Sequence, residues 1–120
     1  MPTRVTVVHD DASIRTDLVN ALVRAGYEAV GFADTRTALP AIEADQHIAM
    51  LITRVSFRVG MPHGVSLALM LRSNHRSLKI LFLAQPKMVE YAEGVGEILV
   101  SPVPTEGVMA KVREMLSSSA

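Results

Sequence analysis

Apolar residues in this chain come in short bursts separated by polar, turn-forming stretches, and the bursts switch between two periods. Arg4-Val-Thr-Val-Val-His9 alternates, runs apolar and stops at His9-Asp10-Asp11, the pattern of a first strand. Ile14, Leu18, Ala21, Leu22 and Ala25 then recur at helical spacing. Asp11 can cap that helix, because its carboxylate can accept from the unpaired amides of the first turn, and Gly26 stands where a left-handed C-terminal cap belongs. Tyr27 to Phe32 reads as a second strand, and Thr35 to Ala44 as a second helix that the interior Pro40 should bend or shorten. Ala49-Met-Leu-Ile-Thr-Arg-Val55 opens with four apolar residues in a row. That is too few for a stable helix and shows no alternation, so it reads as a strand buried on both faces in the middle of a parallel sheet.

After Arg54 comes Val55-Ser-Phe-Arg-Val-Gly-Met-Pro-His-Gly64, a loop rich in turn formers, and Gly64 opens a third helix to about Ser73. Lys79-Ile-Leu-Phe-Leu-Ala84 is a second buried strand of the central kind. Lys87 to Gly96 has room for barely two helical turns, Ile98-Leu-Val100 is a fifth strand, and Val108, Val112, Met115 and Leu116 mark one face of a last helix before Ser117-Ser-Ser-Ala. Strands alternating with helices predict an α/β three-layer sandwich around a parallel sheet, since parallel neighbours need helical crossovers. The flavodoxin-like order 2-1-3-4-5 is the natural choice. It sets the ends of strands one and three side by side, so that His9, Asp10 and Arg54 share a pocket at the carboxyl edge, where open α/β sheets bind their ligands.

Composition narrows what such a fold can do. The 120 residues make one domain, taken as residues 1–120. Twelve basic and twelve acidic residues cancel, which leaves no electrostatic footprint for nucleic acid or an anionic membrane, so a partner is expected to be a protein found by shape and apolar contact. Cysteine is absent, which excludes disulfides, thiolate metal sites and cysteine nucleophiles. No apolar run approaches the roughly 18 residues of a membrane span, and a cytoplasmic location is expected. At 49% hydrophobic the chain is apolar for its size, which suggests a sticky exposed face.

Val7-Val-His-Asp-Asp-Ala-Ser-Ile-Arg15, Leu51-Ile-Thr-Arg54, Gly60-Met-Pro-His-Gly64, Leu83-Ala84, Leu99-Val-Ser-Pro102 and Pro104-Thr-Glu-Gly-Val-Met-Ala-Lys-Val-Arg113 together resemble the receiver (CheY-like) domain of bacterial response regulators, over essentially the whole chain. The resemblance implies a phosphoacceptor aspartate at the end of strand three, a pair of acids holding Mg²⁺, a hydroxyl ending strand four and a lysine after strand five. Carried across, the phosphoacceptor position holds Arg54, which has no nucleophilic lone pair. The first acidic position holds His9, with Asp10 and Asp11 kept. The hydroxyl position is Ala84, the aromatic position Ile98 and the lysine position Ser101. The loop from Arg54 to Gly64 is longer than the family's usual spacing and the Ala84 to Ser101 segment shorter, which removes part of the fourth helix. The resemblance therefore implies a degenerate receiver, without cofactor and without enzymatic activity, that regulates through protein contacts in two-component signalling.

Alternatives stay open at each site. Asp10 and Asp11 could bind a divalent ion or take a phosphoryl group themselves, or one of them could cap the first helix while the other pairs bidentately with Arg54. His9 and His63 could complete a transition-metal site with Asp10. Arg54 could bind a small anion, although no glycine-rich phosphate motif accompanies it. In the third helix Val65, Ala68 and Leu71 are expected to face the sheet, so Leu69 and Met70 project away from it, rimmed by Arg72. They are a candidate surface for a partner or a weak homodimer, or else they pack under the long loop.

Overall fold

The structure is a computed structural model describing residues 2–57 and 63–117. Five parallel strands, β1 (Arg4–Val8), β2 (Glu28–Phe32), β3 (Ile48–Arg54), β4 (Lys79–Ala84) and β5 (Glu97–Val100), form one sheet in the order β2-β1-β3-β4-β5. They alternate with α1 (Ala12–Arg24), α2 (Thr35–Glu43), α3 (Gly64–Arg72), α4 (Val89–Ala92) and α5 (Thr105–Ser117), and a 3₁₀ turn over Pro86–Met88 leads into α4. This is the flavodoxin-like, CheY-like sandwich that the pattern predicts.

The unbroken apolar runs follow from burial on both faces. Along β3, Met50 and Ile52 pack with Leu18, Leu22, Val108 and Val112 of α1 and α5, while Leu51 turns the other way to Ala38, Ile42, Leu67 and Leu71 of α2 and α3. Strand β4 repeats this, with Leu81 and Leu83 on the first side and Ile80, Phe82 and Ala84 on the second. A strand whose alternate residues are all buried can carry no polar side chain facing outward, so its period vanishes from the sequence. The helix ends also follow local chemistry. Asp11 Oδ1 accepts the Ile14 N–H at 3.1 Å, Asp34 Oδ1 accepts that of Thr37 at 2.7 Å, and Gly26, at φ +97°, ends α1 in the left-handed region.

In α1, Ile14 at the start of the helical stripe lies 42% exposed. In α3, Ala68 and Leu71 are buried and Val65 packs partly buried against the same core, as expected, and Gly64 and Leu67 join them. One expectation needs correction: Arg72 does not rim the exposed side of α3. Its Nη1 donates to Val95 O at 2.8 Å and its Nη2 to Leu78 O at 3.2 Å, so the guanidinium bridges the segments entering β4 and β5. Pro40 lies inside α2, which continues to Glu43.

Candidate functional site

The carboxyl edge of the sheet is assembled by register. Val8 pairs with Thr53 and with Phe32, Arg54 with Leu83, and Ala84 with Val100, so the residues leaving β1, β3, β4 and β5 converge on one rim. There Arg54 Nη1 donates to Asp10 Oδ1 at 2.7 Å, with both side chains 24% exposed. The recorded contact is a single charge-assisted bond and not the bidentate pair expected. Partial burial pushes the Asp10 carboxyl upward, but the hydrogen bond and charge of Arg54 outweigh it, and the carboxyl is held below its ordinary value.

His9 is buried just behind this pair. Its Nδ1 accepts the Asp11 N–H at 3.0 Å, and its own carbonyl accepts from Arg15 Nη1 at 2.7 Å. Burial first, and then the charge of Arg54, lower its pKa, so the ring is neutral and carries its hydrogen on Nε2. The carboxylate of Asp11 serves as the helix cap. Ala84 is buried at the end of β4, and its carbonyl accepts the Ser101 N–H at 2.8 Å. Gly64 closes the other side: its N–H donates to Val55 O at 2.8 Å, and a Cβ at this position would stand 1.7 Å from Arg54 O. No side chain larger than hydrogen fits there.

A cavity of about 640 Å³ opens over this rim, lined by His9, Asp11, Arg54 and Ser101 together with Ile14, Leu83 and Val103. Gln85, Pro86, Lys87 and Pro102 complete it. Of this lining, sequence reasoning placed only His9, Asp11, Arg54 and Ser101 at the site. The shortened segment after β4 folds as a 3₁₀ turn with Pro86 in its first turn, and only that turn brings Lys87 to the mouth. His63 stands at the N-cap position of α3 without a side-chain capping bond, its Nδ1 3.3 Å from Val55 O. Leu69 and Met70 lie on the exposed side of α3, away from the cavity lining. The Gly60-Met-Pro part of the sequence motif lies outside the described residues.

The chain is 29% identical over 121 residues to Response regulator MprA of Mycolicibacterium vanbaalenii, an alignment covering 97% of this chain and 51% of that protein. It thus spans about half the length of that relative. Among solved structures it is similar to the chemotaxis response regulator CheY4 of Vibrio cholerae, with a TM-score of 0.82 and 26% identity over 95% of this chain and 98% of the other. A response regulator receiver protein from Sinorhizobium medicae has a TM-score of 0.86 at 20% identity, covering 98% and 96%. No protein-family model matches.

The chain has the CheY-like receiver fold, and its sequence is similar to that of response regulators. Receiver domains are generally signalling modules that contact other signalling proteins or output domains. Among the described residues of this chain, no three His, Asp or Glu side chains cluster closely enough to hold a metal ion, and no helix is long and apolar enough to cross a membrane. The Mg²⁺ that the fold implies does not fit the donors at the rim. One carboxylate is engaged by a guanidinium, the other caps α1, and the histidine nitrogen beside them already accepts a backbone N–H.

Proposed function

We propose that this chain works as a receiver without phosphorylation at the end of β3, a non-catalytic protein-interaction module in two-component signalling. The observation that carries the reading is the 2.7 Å bond between Arg54 and Asp10. A guanidinium occupies the position from which the resemblance implies a carboxylate nucleophile would act, and its charge rests on the acid that would otherwise hold the metal. Such a pocket has one resting arrangement, fixed by an internal ion pair. Output then depends on which surfaces the domain presents and not on a phosphoryl group. The partner is a protein, since the chain carries no net charge to attract nucleic acid. The surface proposed for it is α3, where Leu69 and Met70 are 54% and 46% exposed.

Incubation with acetyl phosphate and Mg²⁺, followed by intact-mass measurement, tests the reading. The mass is expected to stay unchanged. Gain of a phosphoryl group on Asp10 or Asp11 would overturn it and make the domain an unusual phosphoacceptor.

A further inference from the structure

The cavity at the carboxyl edge has a lopsided chemistry. Its walls are apolar, made by Ile14, Leu83, Pro86, Pro102 and Val103, and its volume of about 640 Å³ lies within the range of small-molecule sites. Its polar side chains are the donors His9, Arg54 and Lys87, the donor-acceptors Gln85 and Ser101, and one carboxylate, Asp11. His9 is only 6% exposed; with Nδ1 occupied by the Asp11 N–H, its hydrogen lies on Nε2, for which no acceptor exists among the described residues. Arg54 uses Nη1 on Asp10, and its other nitrogens have no recorded acceptor among the described residues. Lys87 stands at the mouth, and Ser101 contributes a hydroxyl where the resemblance would place a long lysine side chain. The opposing charge in the lining is Asp11, at the exposed rim, with Oδ1 engaged by the Ile14 N–H. A histidine that lines the cavity, with its Nε2–H free of any acceptor among the described residues, beside a guanidinium with donors to spare, suits an anion. Apolar walls call for that anion to carry an apolar body.

We propose that this cavity binds a small organic anion, a carboxylate or phosphate monoester with an apolar tail, its charged head on Arg54 and His9 Nε2–H and its tail against Ile14, Leu83 and Val103. The site rests on the same Arg54-centred pocket as the function proposed above, but not on the absence of phosphorylation. A phosphoryl mass would sink that reading and leave this one to its own test.

Amide NMR titration of the intact chain with octanoate, octyl phosphate, octanamide and inorganic phosphate separates the contributions. Octanoate or octyl phosphate is expected to shift the His9, Leu83, Ser101 and Val103 amides, and whichever binds tighter identifies the head group. Octanamide, which lacks the charge, and inorganic phosphate, which lacks the tail, are each expected to bind at least about tenfold more weakly. Replacing Arg54 with Ala and Asp10 with Asn together removes the guanidinium without stranding a carboxylate, and should weaken the better ligand about tenfold or more. Asp11→Asn keeps a capping oxygen but removes the rim charge, and should tighten binding by about two- to threefold. No amide shift at millimolar octanoate and octyl phosphate, octanamide binding as well as the anions, or an Asp11→Asn affinity no higher than wild type would each overturn the proposal.

Discussion

At the scale of single residues, the pair between Arg54 and Asp10 decides how the pocket behaves. Removing the guanidinium leaves a carboxylate three-quarters buried and uncompensated, and Arg54→Ala should cost about 1–2 kcal/mol, in the lower part of the range for such losses because water still reaches both groups. The pH dependence gives the effect a signature. The Asp10 carboxyl is held below its ordinary value in the folded state, so the stabilisation is complete above the unfolded value of about 3.9 and is lost as pH falls through the lower folded one. Urea unfolding of wild type and variant should therefore differ most above about pH 7, and the part of the gap that Asp10 carries should disappear as pH falls below about 4. A gap that persists in acid would mean that Arg54 acts by packing and not by charge. His9 works in a different window. Its lowered pKa means that the unfolded chain binds the extra proton first, so stability declines as pH drops below about 6.5, and less steeply in the variant, where burial still lowers the His9 pKa but the charge of Arg54 no longer does.

Individual elements are placed by constraints of unequal visibility. Gly64 is the first residue of α3, and it has no room for a side chain because the Arg54 carbonyl lies against it. Gly26 ends α1 with open space around it but a backbone at φ +97°. Alanine should therefore fail at the two positions for different reasons. At Gly64 overpacking should cost about 2–3 kcal/mol and disturb the amides around Arg54, whereas at Gly26 left-handed strain should cost about 1 kcal/mol and leave the pocket untouched. Equal costs in denaturant unfolding, or an undisturbed pocket in Gly64→Ala, would contradict this. The same contrast explains what could be read in advance. Strand order, helix caps and the meeting of His9, Asp10 and Arg54 were legible because period, capping residues and parallel topology are local or nearly local signals. The inward turn of Leu67, the bridge from Arg72 to the chain ahead of β4 and β5, and the arrival of Lys87 at the cavity were not. Each depends on where a neighbouring element ends, and a helix apolar on most sides gives no period from which to choose its buried face.

For the molecule as a whole, the open matter is association, and magnitudes set its scale. Leu69 and Met70 are each about half exposed, so covering one returns roughly half the value of a fully buried side chain, about 0.8–1.5 kcal/mol. A two-fold axis through α3 would bury both residues of each copy, for a gross gain of about 3–6 kcal/mol. Bringing two molecules together costs about 4–15 kcal/mol, so this patch alone supports a homodimer no tighter than about tens of millimolar, while a partner offering a larger complementary surface would bind more firmly. The face built on α4 offers less, because that helix is only four residues long. Sedimentation should accordingly show a monomer at tens of micromolar and a sedimentation coefficient that rises only above millimolar concentration. The Leu69→Glu, Met70→Lys double variant should remain monomeric throughout and keep its unfolding midpoint, since both side chains lie outside the core. Identical sedimentation of wild type and variant at every concentration would show that α3 does not carry self-association, and a loss of stability in the variant would show that the two side chains are covered within the fold itself.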